Sequence, residues 1–236
     1  MFNLETGEVL LVDKPLTWTS FDVVKKIKIA GKISKVGHAG TLDPLATGLL
    51  ILCTGKKTKE IDNYQALTKE YTGKILLGKT TPTLDLEMPF DSETDTNHLT
   101  VQMVKEVVNH FKGKLLQIPP IFSAIKIDGK RLYKKARKGK EIDVEIKPRE
   151  IEVYEFEITE FALPEVSFRV TCSKGTYIRS LARDVGEKLG VGGCLSALRR
   201  TKIGEFSVEN AWRLEDITQQ LKQEREEITN IADVEN

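Results

Sequence analysis

The sequence predicts an α+β fold on a mixed, mainly antiparallel central sheet flanked by helices. Three observations predict it. Strand-like segments outnumber helical ones, loops rather than regular crossover helices join many of them, and no segment repeats. A doubly wound parallel sheet would need helices alternating regularly with strands.

The elements follow in order. Val9 to Val12 reads as a short buried strand stopped by Asp13-Lys14-Pro15. Ser20 is placed to cap a helix through Phe21, Val23, Val24 and Ile27, with lysines on the other face and Gly31 at its end. A glycine-rich stretch from Gly37 to Gly48 precedes an apolar run at Leu49 to Cys53. Tyr71 to Leu77 reads as a strand and residues 80–91 as a loop rich in Thr, Pro and Asp. Thr100 caps a helix carrying Val101, Val104, Val107, Val108 and Phe111, ended by Gly113. Ile151 to Phe161 contains a strand. Val166, Phe168, Val170 and Cys172 alternate with Ser167, Arg169 and Thr171, the pattern of a half-buried strand. Ile178, Leu181, Ala182, Val185 and Leu189 have helical spacing, and Ile203 to Val208 is expected to be a strand. From Glu215 to Asn236 there are seven acids against two bases, which predicts an acidic terminal helix or a frayed end.

Composition excludes several classes. With 40% hydrophobic and 30% charged residues the chain is an ordinary globular one. Cys53, Cys172 and Cys194 are far apart, odd in number and form no CxxC pair, which argues against a disulfide framework and a zinc site. A reducing cytoplasm is the expected location. The N-terminus lacks a basic segment ahead of a long apolar run, so no secretory signal is expected, and no apolar run is long enough to span a bilayer.

The net charge of +1 makes no case for nucleic acid, but the local distribution does. Eight Lys and Arg lie between Lys126 and Lys140 with one Asp and Tyr133 among them. Lys25, Lys26, Lys28, Lys32 and Lys35 form a second group, and Arg199, Arg200 and Lys202 a third. Such clusters can neutralise phosphates if they converge in space, while any one alone reads as a solvated face.

Asp43 lies in GHAGTLDPLATG, residues 37–48. Pro44 disfavours the helical region for Asp43, and the flanking glycines allow close approach of a backbone or ligand. Taken alone, Asp-Pro is more often a helix cap. The stretch is no phosphate loop, because the Lys-Ser/Thr ending is missing.

GHAGTLDPLATGLLILCTGKKTK resembles the signature of the bacterial TruB family of tRNA pseudouridine-55 synthases. The likeness continues in KEYTGKILLGKTTPTLD (69–85), PPIFSAIKIDGKRLYKKARKG (119–139), SKGTYIRSLARDVGEKLG (173–190) and ALRRTKIGEF (197–206). Five blocks in the family's order span roughly residues 8 to 208.

The resemblance implies a pseudouridine synthase fold and a reaction that breaks the C1′–N1 bond of a flipped uridine and remakes it as C1′–C5. It implies that Asp43 is the catalytic carboxylate, by attack on C1′ or by removal of a sugar proton toward a glycal. Arg179 is implied as its cationic partner, since an ionised carboxylate in a closed site needs one. Tyr71 is implied to stack on the target base and is a candidate for removing the C5 proton. Tyr177 and Leu198 are implied to contact the flipped nucleotide, and His38 to help occupy or prise open the space beside the flipped base. Alone, Tyr71, Tyr177 and Leu198 would be ordinary strand or core residues, Arg179 a surface residue, and His38 a satisfied polar one.

A basic insertion at about 119–145 is expected to close over RNA, ordering as it binds, with Lys126, Lys130, Arg131 and Arg137 on the phosphate backbone. The resemblance further implies a catalytic domain over residues 1–214 and an acidic tail or helix over 215–236. No C-terminal PUA-like domain is expected, which leaves acceptor-stem contacts in doubt. The implied partner is the T stem-loop of tRNA, with no metal, organic cofactor or obligatory protein partner, and a monomer. The alternatives are a guide-dependent synthase subunit, a non-catalytic RNA chaperone, and a glycoside-processing hydrolase, the last lacking a recognisable carboxylate pair.

Overall fold

The computed structural model describes residues 2, 6–123, 126–127, 130–131 and 146–234. Its elements are β1 (Val9–Lys14), α1 (Ser20–Ala30), β2 (Val36–His38), β3 (Ala46–Thr54), a 3-10 turn (Gly55–Glu60) leading into α2 (Ile61–Ala66), β4 (Lys69–Leu77), β5 (Lys79–Thr80), β6 (Ser92–Glu93), α3 (Val101–Asn109), β7 (Gly113–Gln117), β8 (Lys126–Ile127), β9 (Lys130–Arg131), β10 (Arg149–Ala162), β11 (Glu165–Cys172), α4 (Ile178–Lys188), β12 (Gly193–Ile203), β13 (Phe206–Ser207), β14 (Trp212–Arg213) and α5 (Leu214–Val234). The chain forms two compact units, residues 1–70 with 199–236, and residues 71–198. Among the described residues no helix is long and apolar enough to cross a membrane.

In the first unit β1 runs antiparallel to β3, from Val9 opposite Cys53 to Lys14 opposite Gly48, and parallel to β14. β2 adds antiparallel to β3, with His38 opposite Leu52. β3 is buried on both faces, which explains its continuous apolar run. Leu50 and Leu52 face a cluster made by Val23, Val24 and Ile27 of α1 with Leu214, Ile217 and Leu221 of α5. Leu49, Ile51 and Cys53 face Ile203 and Val208. The acidic terminus is thus a helix whose first three turns complete a core, with Thr218 and Glu224 buried as well.

The second unit orders its sheet β4-β11-β10-β7. β10 and β11 form an antiparallel hairpin, and β7 pairs antiparallel with β10 from Gln117 opposite Arg149 to Gly113 opposite Val153. β11 buries Val166, Phe168, Val170 and Cys172 as its alternation predicts, and Phe168 meets Phe156 edge to face at 5.7 Å. The mixed sheet and, among the described residues, five helices confirm the α+β class and the pseudouridine synthase fold.

Three expectations need correction. The cap of α1 is Thr19, not Ser20: its side chain accepts from the Asp22 N–H while Asp22 reaches back to the Thr19 backbone, a capping box. Phe21 is 69% exposed and outside the apolar stripe, because the buried face is set by Ser20, Val23, Val24, Ile27 and Ala30 and the next residue after Ser20 points about 100° away from it. The strand expected at Ile203 to Val208 is the end of the longer β12, a turn at Gly204 and the short β13.

Candidate active site

Asp43 does not cap a helix. Its carbonyl accepts from the Ala46 N–H at 3.1 Å, closing a β-turn with Pro44 and Leu45 in the middle, and β3 starts at Ala46. Proline's fixed φ suits the second position of such a turn, and Asp the first. Side chains and backbone of the same unit hold this loop on several sides. The Ser20 hydroxyl accepts from the Leu42 N–H at 2.8 Å and donates to the Leu42 carbonyl at 3.2 Å. The Thr17 N–H donates to the Pro44 carbonyl at 2.9 Å. Arg200, 1% exposed, donates to the carbonyls of Leu49 at 2.7 Å and Gly40 at 3.2 Å. Gly48 permits this packing: its φ is 101°, and a Cβ there would lie 2.3 Å from the Arg200 carbonyl oxygen.

Lys14, fully buried, is the residue that hydropathy hides. Its ammonium donates to the carbonyls of Pro15 at 2.9 Å, Trp18 at 2.5 Å and Pro44 at 3.3 Å. Burial pushes its pKa down to about 8; the Asp43 carboxylate opposes that fall and the Arg200 guanidinium adds to it. Between about 8 and 10.5 the unfolded chain holds a proton that the folded one has released, so Lys14 contributes rising stability with pH across that window. Over the same window the Asp43 loop loses its ammonium. Turnover of the wild type is expected to fall above about pH 8 while thermal stability does not, and Lys14→Met is expected to lack that alkaline limb. Parallel pH–rate and calorimetric profiles of the two proteins check this.

His38 lies on β2 in the same unit. Burial, then Arg200, pulls its pKa below the usual histidine range, so the ring is neutral at physiological pH. Its Nδ1 is buried and finds no hydrogen-bond partner among the described residues.

The second unit holds the other four residues. Arg179 is the second residue of α4 and is 5% exposed, so it is no surface arginine. It donates to the Thr83 carbonyl at 2.8 Å and the Phe122 carbonyl at 3.0 Å, and its Nε lies 3.7 Å from Asp85. Burial raises the Asp85 pKa, opposed by the Thr83 hydrogen bond and by Arg179. Tyr177, the residue before α4, is pinned through its backbone by Gln117: Tyr177 N–H donates to Gln117 Oε1 at 2.8 Å, and Gln117 Nε2 donates to the Tyr177 carbonyl at 3.0 Å. The Arg149 guanidinium lies 5.0 Å from the Tyr177 ring centre. Tyr71 opens this unit's part of β4 at 8% exposure, and Leu198 lies on β12, the neighbouring strand.

Each unit therefore gathers some of the expected residues: Asp43 with His38, and Tyr71, Tyr177, Arg179 and Leu198. The sequence reading missed Lys14, Asp85 and Gln117, and placed Arg200 in a basic cluster rather than in the core. Asp85 ends the block at 69–85, so its place was visible without its role. Lys126, Lys130 and Arg131 lie on the antiparallel β8–β9 pair; Arg137 and most of the basic insertion, with its expected ordering on RNA, fall outside the described residues. In the third basic group only Arg200 is withdrawn from the surface, while Arg199 is partly exposed and Lys202 exposed, each paired with an acid. Arg199 grips both Asp13 oxygens at 3.0 and 2.7 Å, Arg200 is buried, and Lys202 lies 3.6 Å from Glu70.

Comparison with known proteins identifies the class. Residues 26–178 match the TruB family pseudouridylate synthase N-terminal domain, and residues 179–234 match the tRNA pseudouridylate synthase B C-terminal domain. The tRNA pseudouridine synthase B of Phocaeicola vulgatus is 51% identical over 235 residues, 97% of this chain and 99% of that protein. That of Flavobacterium johnsoniae is 54% identical, covering 87% of this chain and 92% of that one. A solved Cbf5-Nop10-Gar1 complex contains a chain similar at 30% identity and a TM-score of 0.70, over 92% of this chain. This chain spans about half of that one, 54%. The chain belongs to the TruB family of pseudouridylate synthases.

Proposed function

We propose that this chain converts uridine-55 in the T-arm loop of tRNA to pseudouridine, with Asp43 as the essential carboxylate. The target nucleotide is flipped from its stack, the C1′–N1 bond breaks, the base turns within the site, and C5 bonds to C1′. The C5 proton leaves and N1 gains one, so the reaction balances without an oxidant or a released base. Asp43 acts either by adding to C1′ or by taking a sugar proton. Arg179 serves as its cationic partner, Tyr71 stacks on the base and serves the C5 proton, and Tyr177, Leu198 and His38 shape the pocket. Lys126, Lys130, Arg131 and Arg137 hold phosphates. The chain works as a cytoplasmic monomer, with residues 1–214 as its catalytic domain, without metal, cofactor or obligatory partner.

One observation carries the reading: Asp43 stands on a turn fixed by Ser20, Thr17 and Lys14, in a chain 51% identical to a tRNA pseudouridine synthase B. The test is to incubate the purified chain with unmodified tRNA and map pseudouridine by position. Modification at position 55 is expected. Pseudouridine elsewhere, or none, contradicts the proposal. An isolated T-arm hairpin is expected to turn over nearly as well as full tRNA; a large advantage for full tRNA would place recognition outside the T-arm.

A further inference from the structure

A groove in the first unit, with a cavity volume of about 360 Å³, is lined by Thr17, Trp18, Asp22, Lys25, Lys26 and Ile29. That is the size of a small ligand site. We propose that it seats the substrate strand beside the flipped nucleotide, with phosphates on Lys25 and Lys26 and an unpaired base or sugar against Trp18 and Ile29. This rests on the reading of the chain as an RNA-modifying enzyme and names a subsite for it.

Two independent observations support the occupant. The first is charge and surface chemistry. Lys25 and Lys26 are exposed, and Lys25 lies near enough to Asp22 to help hold that carboxyl below its usual range. The one acid, Asp22, is engaged by the Thr19 N–H at 3.0 Å and the Thr19 hydroxyl at 2.5 Å. Two lysines against one carboxylate leave the groove with a net positive charge, and Ile29 is 62% exposed beside it. Cations flanking an aromatic and an aliphatic side chain suit a single strand, whose phosphates and base faces alternate.

The second observation is continuity with the Asp43 loop. Thr17 N–H donates to the Pro44 carbonyl at 2.9 Å, and the Lys14 ammonium bridges the Trp18 and Pro44 carbonyls at 2.5 and 3.3 Å. Ser20, the first residue of α1, holds Leu42 from both its backbone groups. Thr17 is kept at φ 69°, a costly region for a β-branched residue. Strain of this kind persists only where surrounding bonds impose it. The groove and the turn that carries Asp43 are therefore one braced piece, and a strand leaving Asp43 can continue onto α1.

The test uses the full chain with an unmodified T-arm hairpin. Trp18 and Trp212 are the two tryptophans, so Trp212→Phe leaves Trp18 as the fluorescent reporter. The hairpin is expected to change Trp18 emission saturably. Lys25→Glu with Lys26→Glu is expected to weaken hairpin binding roughly tenfold or more at physiological salt, and to lower the slope of log affinity against log salt by about 2. KM should rise with kcat within about twofold, as for loss of uniform binding. Both lysines are solvent-exposed, and the reporter variant leaves them intact, so folding does not decide the outcome. Unchanged affinity, slope and KM, or a silent Trp18, would overturn the subsite. So would polyglutamate moving Trp18 emission as strongly as RNA, which would mark an acidic-peptide site. Failure of the wild type to make pseudouridine while these binding effects hold would overturn the proposed function and leave the groove an RNA site.

Discussion

Asn at position 43 is expected to leave RNA bound and to lower pseudouridine formation by on the order of 10⁴-fold in kcat. Asparagine has nearly the shape of aspartate but no anionic oxygen to add to C1′ or to accept a sugar proton. The fold should tolerate the change, because the turn is held through main-chain atoms of Leu42, Asp43, Pro44 and Ala46. Calorimetry is expected to show an unfolding temperature close to that of the wild type, and hairpin affinity within about threefold of it, as expected when the lost interaction serves the transition state alone. Turnover near the wild-type rate would remove Asp43 from the chemistry. A collapse of stability together with activity would make it a structural residue.

Arg179 is expected to give the second large effect, on stability as well as turnover. Its guanidinium serves the carbonyls of Thr83 and Phe122 and faces Asp85, with both charged side chains 6% exposed. Removing one member of a buried pair costs about 3–5 kcal/mol, because the other charge is stranded. Arg179→Met should approach that loss. Arg179→Lys should fold better yet remain strongly impaired in turnover, since one ammonium cannot reproduce a planar fork. The pH dependence gives a check. The Asp85 pKa is already raised by burial and rises further without Arg179. A carboxyl whose folded pKa lies above its unfolded value is destabilising as pH rises through the folded pKa, so Arg179→Met should recover stability on acidification. A penalty independent of pH would assign the loss to the two orphaned carbonyls instead.

Much of the fold was legible where one face meets water. The alternation from Val166 to Cys172 and the helical spacing from Ile178 onward report half-buried elements, and both are found. β12 was missed because its burial follows no period: it buries Gly193 to Leu195, then Arg200 and Ile203. A buried arginine or lysine reads as polar in any hydropathy pattern, which also hid Lys14. The α1 cap was readable in principle, since Thr19 and Asp22 have capping-box spacing while Ser20 lacks an acid three residues on. Asp43 and Arg179 came from motif resemblance, and periodicity would have found neither. Asp-Pro by local preference caps a helix; here tertiary bonds from Ser20, Thr17 and Lys14 make it the turn before a strand.

The central claim is that one carboxylate drives an isomerisation at a uridine of tRNA. Tritium placed at C5 of the uridines in a tRNA transcript must pass to solvent when C5 bonds to C1′. The wild-type chain is expected to release the label of one uridine per tRNA, that at position 55, and Asp43→Asn to release none above background. Equal release by both proteins, or label retained in RNA that the wild type has bound and processed, would contradict the account.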